Sequence, residues 1–118
     1  MDILELRAYC LSNKATEEAM PFDQDTLVFK VLGKIFALTS LSDWEKGNPR
    51  INLKYDADAI ESLREIYDFV LPGYHMNKKH WNTVAIVPEL SDELLKAWID
   101  RSYDLVVKSM PKKMQEQL

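Results

Sequence analysis

A twelve-residue segment, "GYHMNKKHWNTV" (residues 73–84), brings together several side chains that could do chemistry. It contains both histidines of the protein, His75 and His80, and two adjacent lysines, Lys78 and Lys79. Imidazoles bind metals or transfer protons near neutral pH, lysines neutralise phosphates, and aromatic rings stack on bases. The segment therefore raises three chemical possibilities: a metal site, an acid–base site and a nucleic-acid contact.

The residue pattern argues against the metal site and the acid–base site. His75 and His80 are five positions apart, whereas two ligands on one helical face stand three or four apart, and the segment offers no Asp, Glu or Cys to complete a set. The chain also has no Gly-x-Ser-x-Gly nucleophile motif and only three glycines, too few for a phosphate-cradling loop. We expect no metal, no cofactor and no catalytic residue, so an enzyme is the least favoured class.

Nucleic-acid contact fits the residue types better. Tyr74, His80 and Trp81 offer stacking planes, and the neighbouring polar side chains offer hydrogen bonds and charge. The candidate contact residues are Arg50, Asn52, Lys54, His75, Asn77, Lys78, Lys79, His80 and Asn82. The alternative is core packing, since a Trp and a Met between a strand and a helix are usually buried. Under a combined hypothesis, Tyr74 and Trp81 are partly buried supports beneath an exposed polar turn, and Trp81→Ala costs about 3–5 kcal/mol.

The overall charge limits how a polyanion would be bound. The 118 residues carry a net charge of −4 with a pI of about 5.1, so any nucleic-acid contact needs a local basic face. The length predicts one domain over residues 1–118. The single cysteine, Cys10, excludes an internal disulfide, and the chain shows neither a signal segment nor a long apolar run. We expect a cytoplasmic monomer with no membrane association.

Local patterns predict the elements that position the segment. In chain order they are a helix over 3–13 opened by an Asp2–Glu5 capping box, an edge strand within 15–25, a hairpin over 26–41 turning at Gly33-Lys34, a loop, and a strand over 50–55. A middle helix capped by Asp56 follows, with an inward stripe that ends at Val70. A strand over 82–87, a helix from Ser91 to Met110 and a frayed tail complete the chain. This order predicts an α+β fold: a mainly antiparallel sheet with an N-terminal helix, a middle helix and a long C-terminal helix.

The order of the residues resembles the MmcQ/YjbR family of small bacterial proteins along nearly the whole chain. The most specific matches are Pro21-Phe22, the hairpin Leu27–Leu38, Asn52-Leu53-Lys54, the block Pro72–Val84 and the run Ser102–Val106. The resemblance implies a fold of the double-wing type, similar to frataxin-like and secretion-chaperone-like folds, and it carries the label DNA-binding. The family signature falls on Lys54, Gly73, Tyr74, His75, Met76, Asn77, Lys78, His80, Trp81, Asn82 and Thr83, of which Gly73, Tyr74, Met76, Trp81 and Thr83 are the structural positions.

Two functions of different classes therefore remain open. One is weak or conditional DNA contact through the polar turn and the adjacent basic strand face, and the other is a protein-interaction or chaperone-like adaptor using the sheet. A contiguous solvent-facing patch of Arg50, Asn52, Lys54, Lys78 and Lys79 would favour nucleic acid, whereas a broad exposed apolar strip would favour a protein partner. A concave pocket holding both histidines would favour a small-molecule binder instead.

Overall fold

The computed structural model describes residues 1–118. Its elements are α1 (Ile3–Leu11), β1 (Thr16–Ala19), β2 (Thr26–Val31), β3 (Lys34–Ser40), α2 (Leu41–Glu45), β4 (Arg50–Lys54), α3 (Ile60–Ile66), β5 (Val70–Pro72), β6 (Trp81–Ala85), α4 (Asp92–Lys108) and α5 (Lys112–Gln115). The six strands form one antiparallel sheet in the order β1-β2-β3-β4-β6-β5. The α+β fold predicted from the sequence is confirmed.

The core lies between the sheet and the helices α1 and α4. Ile51 and Leu53, which alternate with polar residues on β4, are buried there, and so are Leu95 and Ile99 of α4. Alternation puts successive strand residues on opposite faces, so Arg50, Asn52 and Lys54 lie on the face away from this core. The strict alternation in "RINLKY" therefore predicts both faces of β4 correctly.

The capping signals at the two best-defined helices are also confirmed. The Asp2 carboxylate accepts from the Glu5 amide at 2.8 Å while the Glu5 carboxylate accepts from the Asp2 amide. At α4 the Ser91 hydroxyl accepts from the Leu94 amide at 3.1 Å. Each bond satisfies an amide that the first helical turn leaves without a partner.

The hairpin is present, but its turn is one residue earlier than predicted. Val31 pairs with Lys34, so the two turn residues are Leu32 and Gly33 and both have positive φ, at 48° and 82°. A two-residue turn of type I′ requires positive φ at both positions, and glycine occupies the second one here. The prediction of a Gly33-Lys34 turn is corrected accordingly.

The middle helix is shorter than predicted and does not begin at Asp56. Its N-cap is Ala59, which makes no side-chain capping bond. Asp56 is engaged elsewhere, since the Arg101 guanidinium donates to its carboxylate at 2.8 Å and lowers the pKa of that carboxyl. The acid that would have capped the helix instead links the end of β4 to α4.

Three short elements were not predicted. Val70, assigned above to the inward stripe of the middle helix, belongs to β5. The predicted loop after β3 contains α2, and the predicted frayed tail contains α5. All three are five residues or shorter, a length at which hydrophobic periodicity carries little information.

Cys10 is fully buried on α1, and burial raises the pKa of its thiol to about 12. Because the thiolate is the reactive form, we expect the folded protein to react with DTNB at least about tenfold more slowly than the urea-unfolded protein at neutral pH. The absorbance of released thionitrobenzoate measures both rates. Equal rates in the two states would contradict the buried position.

Candidate functional site

The sheet face opposite α1 and α4 carries a row of side chains contributed by neighbouring strands. Leu38 pairs with Asn52, Asn52 pairs with Thr83, and Thr83 pairs with Leu71. Directly paired residues of antiparallel strands project to the same face, so these four side chains lie side by side. We call this surface the open face.

A groove of about 510 Å³ crosses the open face. One border is Phe22, in the loop between β1 and β2, and the other is formed by Tyr74, His75 and Met76, in the turn between β5 and β6. The full lining is Phe22, Thr26, Ile35, Leu38, Thr39, Ser40, Asp43, Arg50, Asn52, Tyr74, His75, Met76, Trp81 and Thr83. The groove thus joins the segment singled out in the sequence to a distant loop.

Gly73 begins the turn that forms one border of the groove. Its amide donates to the Trp81 carbonyl at 3.0 Å, and a Cβ at this position would stand 2.8 Å from the same oxygen. Only glycine therefore permits this close approach. Further along, His75 has a positive φ of 58°, and its ring lies 4.1 Å from that of Tyr74, centroid to centroid. The turn holds both rings at the mouth of the groove.

Arg64 of α3 anchors the end of the same turn. Its Nε donates to the side-chain oxygen of Asn82 at 2.7 Å, and its Nη2 donates to the carbonyls of Trp81, at 3.3 Å, and Lys78. Arg64 was not among the residues selected from the sequence. A lone arginine on a short helix carries no local signal for contacts made 14 to 18 residues away.

A chain of hydrogen bonds orders the floor of the groove. The Tyr74 amide donates to the Thr83 hydroxyl at 2.8 Å, and that hydroxyl donates to the side-chain oxygen of Asn52 at 2.5 Å. The chain connects the turn to β6 and β4. It also fixes the orientation of the one amide side chain on the floor.

The charged end of the groove is electrically balanced. The Arg50 guanidinium lies 3.1 Å from the Asp43 carboxylate, and these two are the only Asp, Glu, Lys or Arg residues in the lining. Histidine is represented by His75 alone. The lining therefore has one acid, one base and one histidine, with no excess of positive charge.

The basic candidates do not form one patch. Lys54 pairs with Trp81 at the start of β6, next to the turn that carries Lys78 and Lys79, whereas Arg50 pairs with Ala85 at the other end of the strand. Four residues of extended chain separate Arg50 from Lys54, about 13 Å. Arg50 is moreover neutralised by Asp43, so the structure groups only the three lysines.

Two sequence-based assignments need correction. Asn82, proposed as a contact residue, is only 1% exposed and lies on the core side of the sheet, paired with Leu53. Tyr74, proposed as a partly buried support, is 62% exposed because the turn lifts it away from the sheet. Trp81, also proposed as a partly buried support, is half-buried and lines the groove.

The remaining candidates divide between the groove and the turn. His75 and Asn52 line the groove, whereas Asn77, Lys78, Lys79 and His80 do not. The Asn77 side-chain oxygen accepts from the Lys79 amide at 2.9 Å, which stabilises the turn. The two histidines therefore do not share the pocket.

No three side chains of the types His, Cys, Asp or Glu converge in a geometry that could hold a metal ion. No helix combines the length and apolar content needed to cross a bilayer.

Comparison with known proteins extends these observations. The family model YjbR matches residues 11–105. "Uncharacterized protein YbdF" from Escherichia coli O157:H7 is 42% identical over 102 residues, covering 86% of this chain and 81% of the relative. "Uncharacterized protein YjbR" from Escherichia coli K12 is 30% identical over 118 residues, covering 100% of this chain and 98% of the relative.

Solved structures share the fold. A crystal structure of a Deinococcus radiodurans protein, assigned to the domain DUF419, superposes with a TM-score of 0.87 at 37% identity over 98% of this chain and 86% of that one. A Pseudomonas syringae protein superposes with a TM-score of 0.74 at 24% identity, over 89% of this chain and 98% of that one. At this identity the similarity is one of fold alone. The span matched by the family model includes both borders of the groove and its floor. The chain belongs to the YjbR family.

Proposed function

We propose that this YjbR-family protein is a protein-interaction module whose groove on the open face binds an extended segment of a partner. The observation that carries the proposal is a pair of exposed aromatic side chains beside a charge-balanced groove. Phe22 and Tyr74 are 64% and 62% exposed although both border it. Covering such rings removes apolar surface from water, which is the main driving force of association.

Some of the exposed apolar side chains of the chain lie at or beside this groove. Seven large hydrophobic residues of the chain are exposed, and three of them, Phe22, Leu71 and Tyr74, border the groove or share the open face with its floor. Leu38, Met76 and Trp81 continue this apolar surface into the groove. Apolar surface of this kind marks interaction sites.

The charge distribution favours a protein segment over a nucleic-acid strand. Nucleic-acid binding draws much of its affinity from cations that neutralise phosphates. Here the guanidinium of Arg50 is paired with Asp43, and Lys78 and Lys79 lie outside the lining. The lysines therefore lie outside the lining, and the lining itself suits a neutral, mainly apolar ligand.

The openness of the groove favours a chain segment over a small molecule. Small-ligand sites bury about 70–90% of their ligand. Phe22 and Tyr74 are nearly two-thirds exposed, so both borders of the groove are open to solvent. An extended peptide can instead run through the groove and place alternate side chains against its borders.

Selection of random dodecapeptides on the immobilised protein tests the proposal. We expect selected peptides to be rich in aromatic and aliphatic residues. Their affinity, measured by anisotropy of fluorescein-labelled synthetic copies, should fall at least about tenfold in the variant Phe22→Ala/Tyr74→Ala, because truncating a buried anchor costs roughly 2 kcal/mol or more.

The matched control is Leu4→Ala/Ile66→Ala, which removes two similarly exposed apolar side chains that do not line the groove. Its peptide affinity should stay within about twofold. Failure to select any peptide, or equal losses in both variants, would refute the proposal. Labelled single-stranded and duplex oligonucleotides form a second arm: binding that weakens with salt and drops in Lys78→Ala/Lys79→Ala would assign the protein to nucleic acid instead.

A further inference from the structure

We infer that the groove recognises main-chain carbonyl oxygens of the bound segment through the side-chain amide of Asn52, with the Arg50 guanidinium as a second donor. This inference rests on the proposed function and specifies the chemistry by which the segment is held. It assigns a role to a polar side chain at the centre of a mostly apolar floor.

The hydrogen bond from the Thr83 hydroxyl sets the orientation of the Asn52 amide. The Thr83 hydroxyl accepts from the Tyr74 amide at 2.8 Å, so its single proton remains available for donation. It donates that proton to the side-chain oxygen of Asn52 at 2.5 Å. Asn52 therefore directs its oxygen at Thr83 and has its nitrogen on the other side.

The Asn52 nitrogen has no protein partner. The only side-chain hydrogen bond of Asn52 is the one its oxygen receives from Thr83. Only one buried side-chain nitrogen or oxygen of the protein lacks a hydrogen-bond partner, and it is the nitrogen of Asn82. The unpaired Asn52 nitrogen is therefore not buried, and it is accessible to solvent. Two N–H donors of fixed orientation thus face a groove that is otherwise mostly apolar, where a hydrogen bond is stronger than in water.

Arg50 supplies a second donor at a matching distance. It lies two residues from Asn52 on the same face of β4, about 6.6 Å along the strand. Its Nε and Nη2 both contact one oxygen of Asp43, which leaves further N–H groups unengaged. Carbonyl oxygens along one edge of an extended peptide recur at the same interval of about 6.6 Å.

The charge of the floor complements a carbonyl in particular. Asn52 is a neutral donor, and the positive charge of Arg50 is balanced by Asp43. The floor therefore offers N–H groups without net charge, which suits the partial negative charge of an amide oxygen more than the full charge of a phosphate or carboxylate.

The substitution Asn52→Asp tests this inference. The new carboxylate still accepts the Thr83 proton, so the hydrogen-bond chain that supports the floor is kept, but both donors are lost and a negative charge faces the carbonyl. The affinity of the selected dodecapeptides should fall at least about tenfold. In the wild-type protein, peptide binding should also shift the side-chain amide proton resonances of Asn52 downfield.

The control Asn77→Asp makes the same chemical change on the turn outside the groove and keeps the bond to the Lys79 amide. Its affinity should stay within about twofold. Peptides that lose affinity in Phe22→Ala/Tyr74→Ala but bind Asn52→Asp normally, without a shift of the Asn52 amide resonances, would overturn the carbonyl contact while the docking site stands. If no peptide binds the wild-type protein, both the site and the contact are refuted.

Discussion

Replacing Arg64 with alanine is expected to lower the free energy of unfolding by about 3 kcal/mol, because hydrogen bonds from a charged group to partly buried acceptors are lost together. The guanidinium holds the Asn82 side chain at 2.7 Å and the carbonyls of Trp81 and Lys78. The Asn82 side-chain oxygen would lose this partner, and its side-chain nitrogen has none already. The variant would therefore leave the whole buried amide group without a hydrogen bond. Urea unfolding followed by tryptophan fluorescence measures the change.

The same variant should loosen the turn that borders the groove. The amides of His80 and Trp81 donate to the Asn77 carbonyl at 3.2 and 3.0 Å, and their hydrogen exchange should accelerate once Arg64 no longer holds the turn. Glu65→Ala, at an exposed position of the same helix, is the control and should cost less than about 0.5 kcal/mol. A cost below about 1 kcal/mol for Arg64→Ala would mean that water replaces the guanidinium.

The elements that the sequence predicts well are those defined by contacts within a few residues. The Asp2–Glu5 capping box, the Ser91 cap and the alternation of Arg50–Lys54 each depend on neighbours at most four positions away. The start of α3 fails this condition, since Asp56 is removed from capping by Arg101, 45 positions along the chain. A strong local signal was overridden by one distant ion pair.

The groove could not be predicted because it depends on strand order. Its floor exists because β6 inserts between β4 and β5, which brings Thr83 beside Asn52 and Leu71 beside Thr83. Its far border, Phe22, comes from a loop that the sequence links to no chemistry. Pairings of this kind, 31 residues apart in the case of Asn52 and Thr83, leave no periodic trace in the sequence.

The sequence located the important segment without separating its roles. Residues 73–84 contain a glycine required by close packing, a buried asparagine, a threonine that relays a hydrogen bond and two exposed rings. Side-chain type alone does not distinguish Asn77, which stabilises a turn, from Asn82, which lies in the interior. The distinction depends on where the turn ends and β6 begins, at Trp81, and on the register that pairs Asn82 with Leu53 on the core side of the sheet.

Replacing Ser102 with alanine is expected to lower the free energy of unfolding by about 3 kcal/mol, the cost of leaving two buried backbone groups unpaired. Ser102 is 0% exposed on α4, and its hydroxyl donates to the Phe36 carbonyl at 2.6 Å and accepts from the Lys54 amide at 2.8 Å. The pairing of β3 with β4 ends at Ala37 and Leu53. The hydroxyl therefore bridges the two strands where their direct hydrogen bonds stop.

Alanine is nearly isosteric with serine, so the variant removes the bridge without opening a cavity. Ser102 follows Trp98 and Ile99 at helical spacing on the buried stripe of α4. A polar residue at such a position indicates a buried hydrogen bond, and this signal can be read from the sequence. Ser62→Ala, at an exposed position of α3, is the matched control and should change stability by less than about 0.5 kcal/mol. If Ser102→Ala costs equally little in urea unfolding, the prediction is wrong. The Phe36 carbonyl and the Lys54 amide would then bond directly to each other in the variant, and the serine hydroxyl would add no stability.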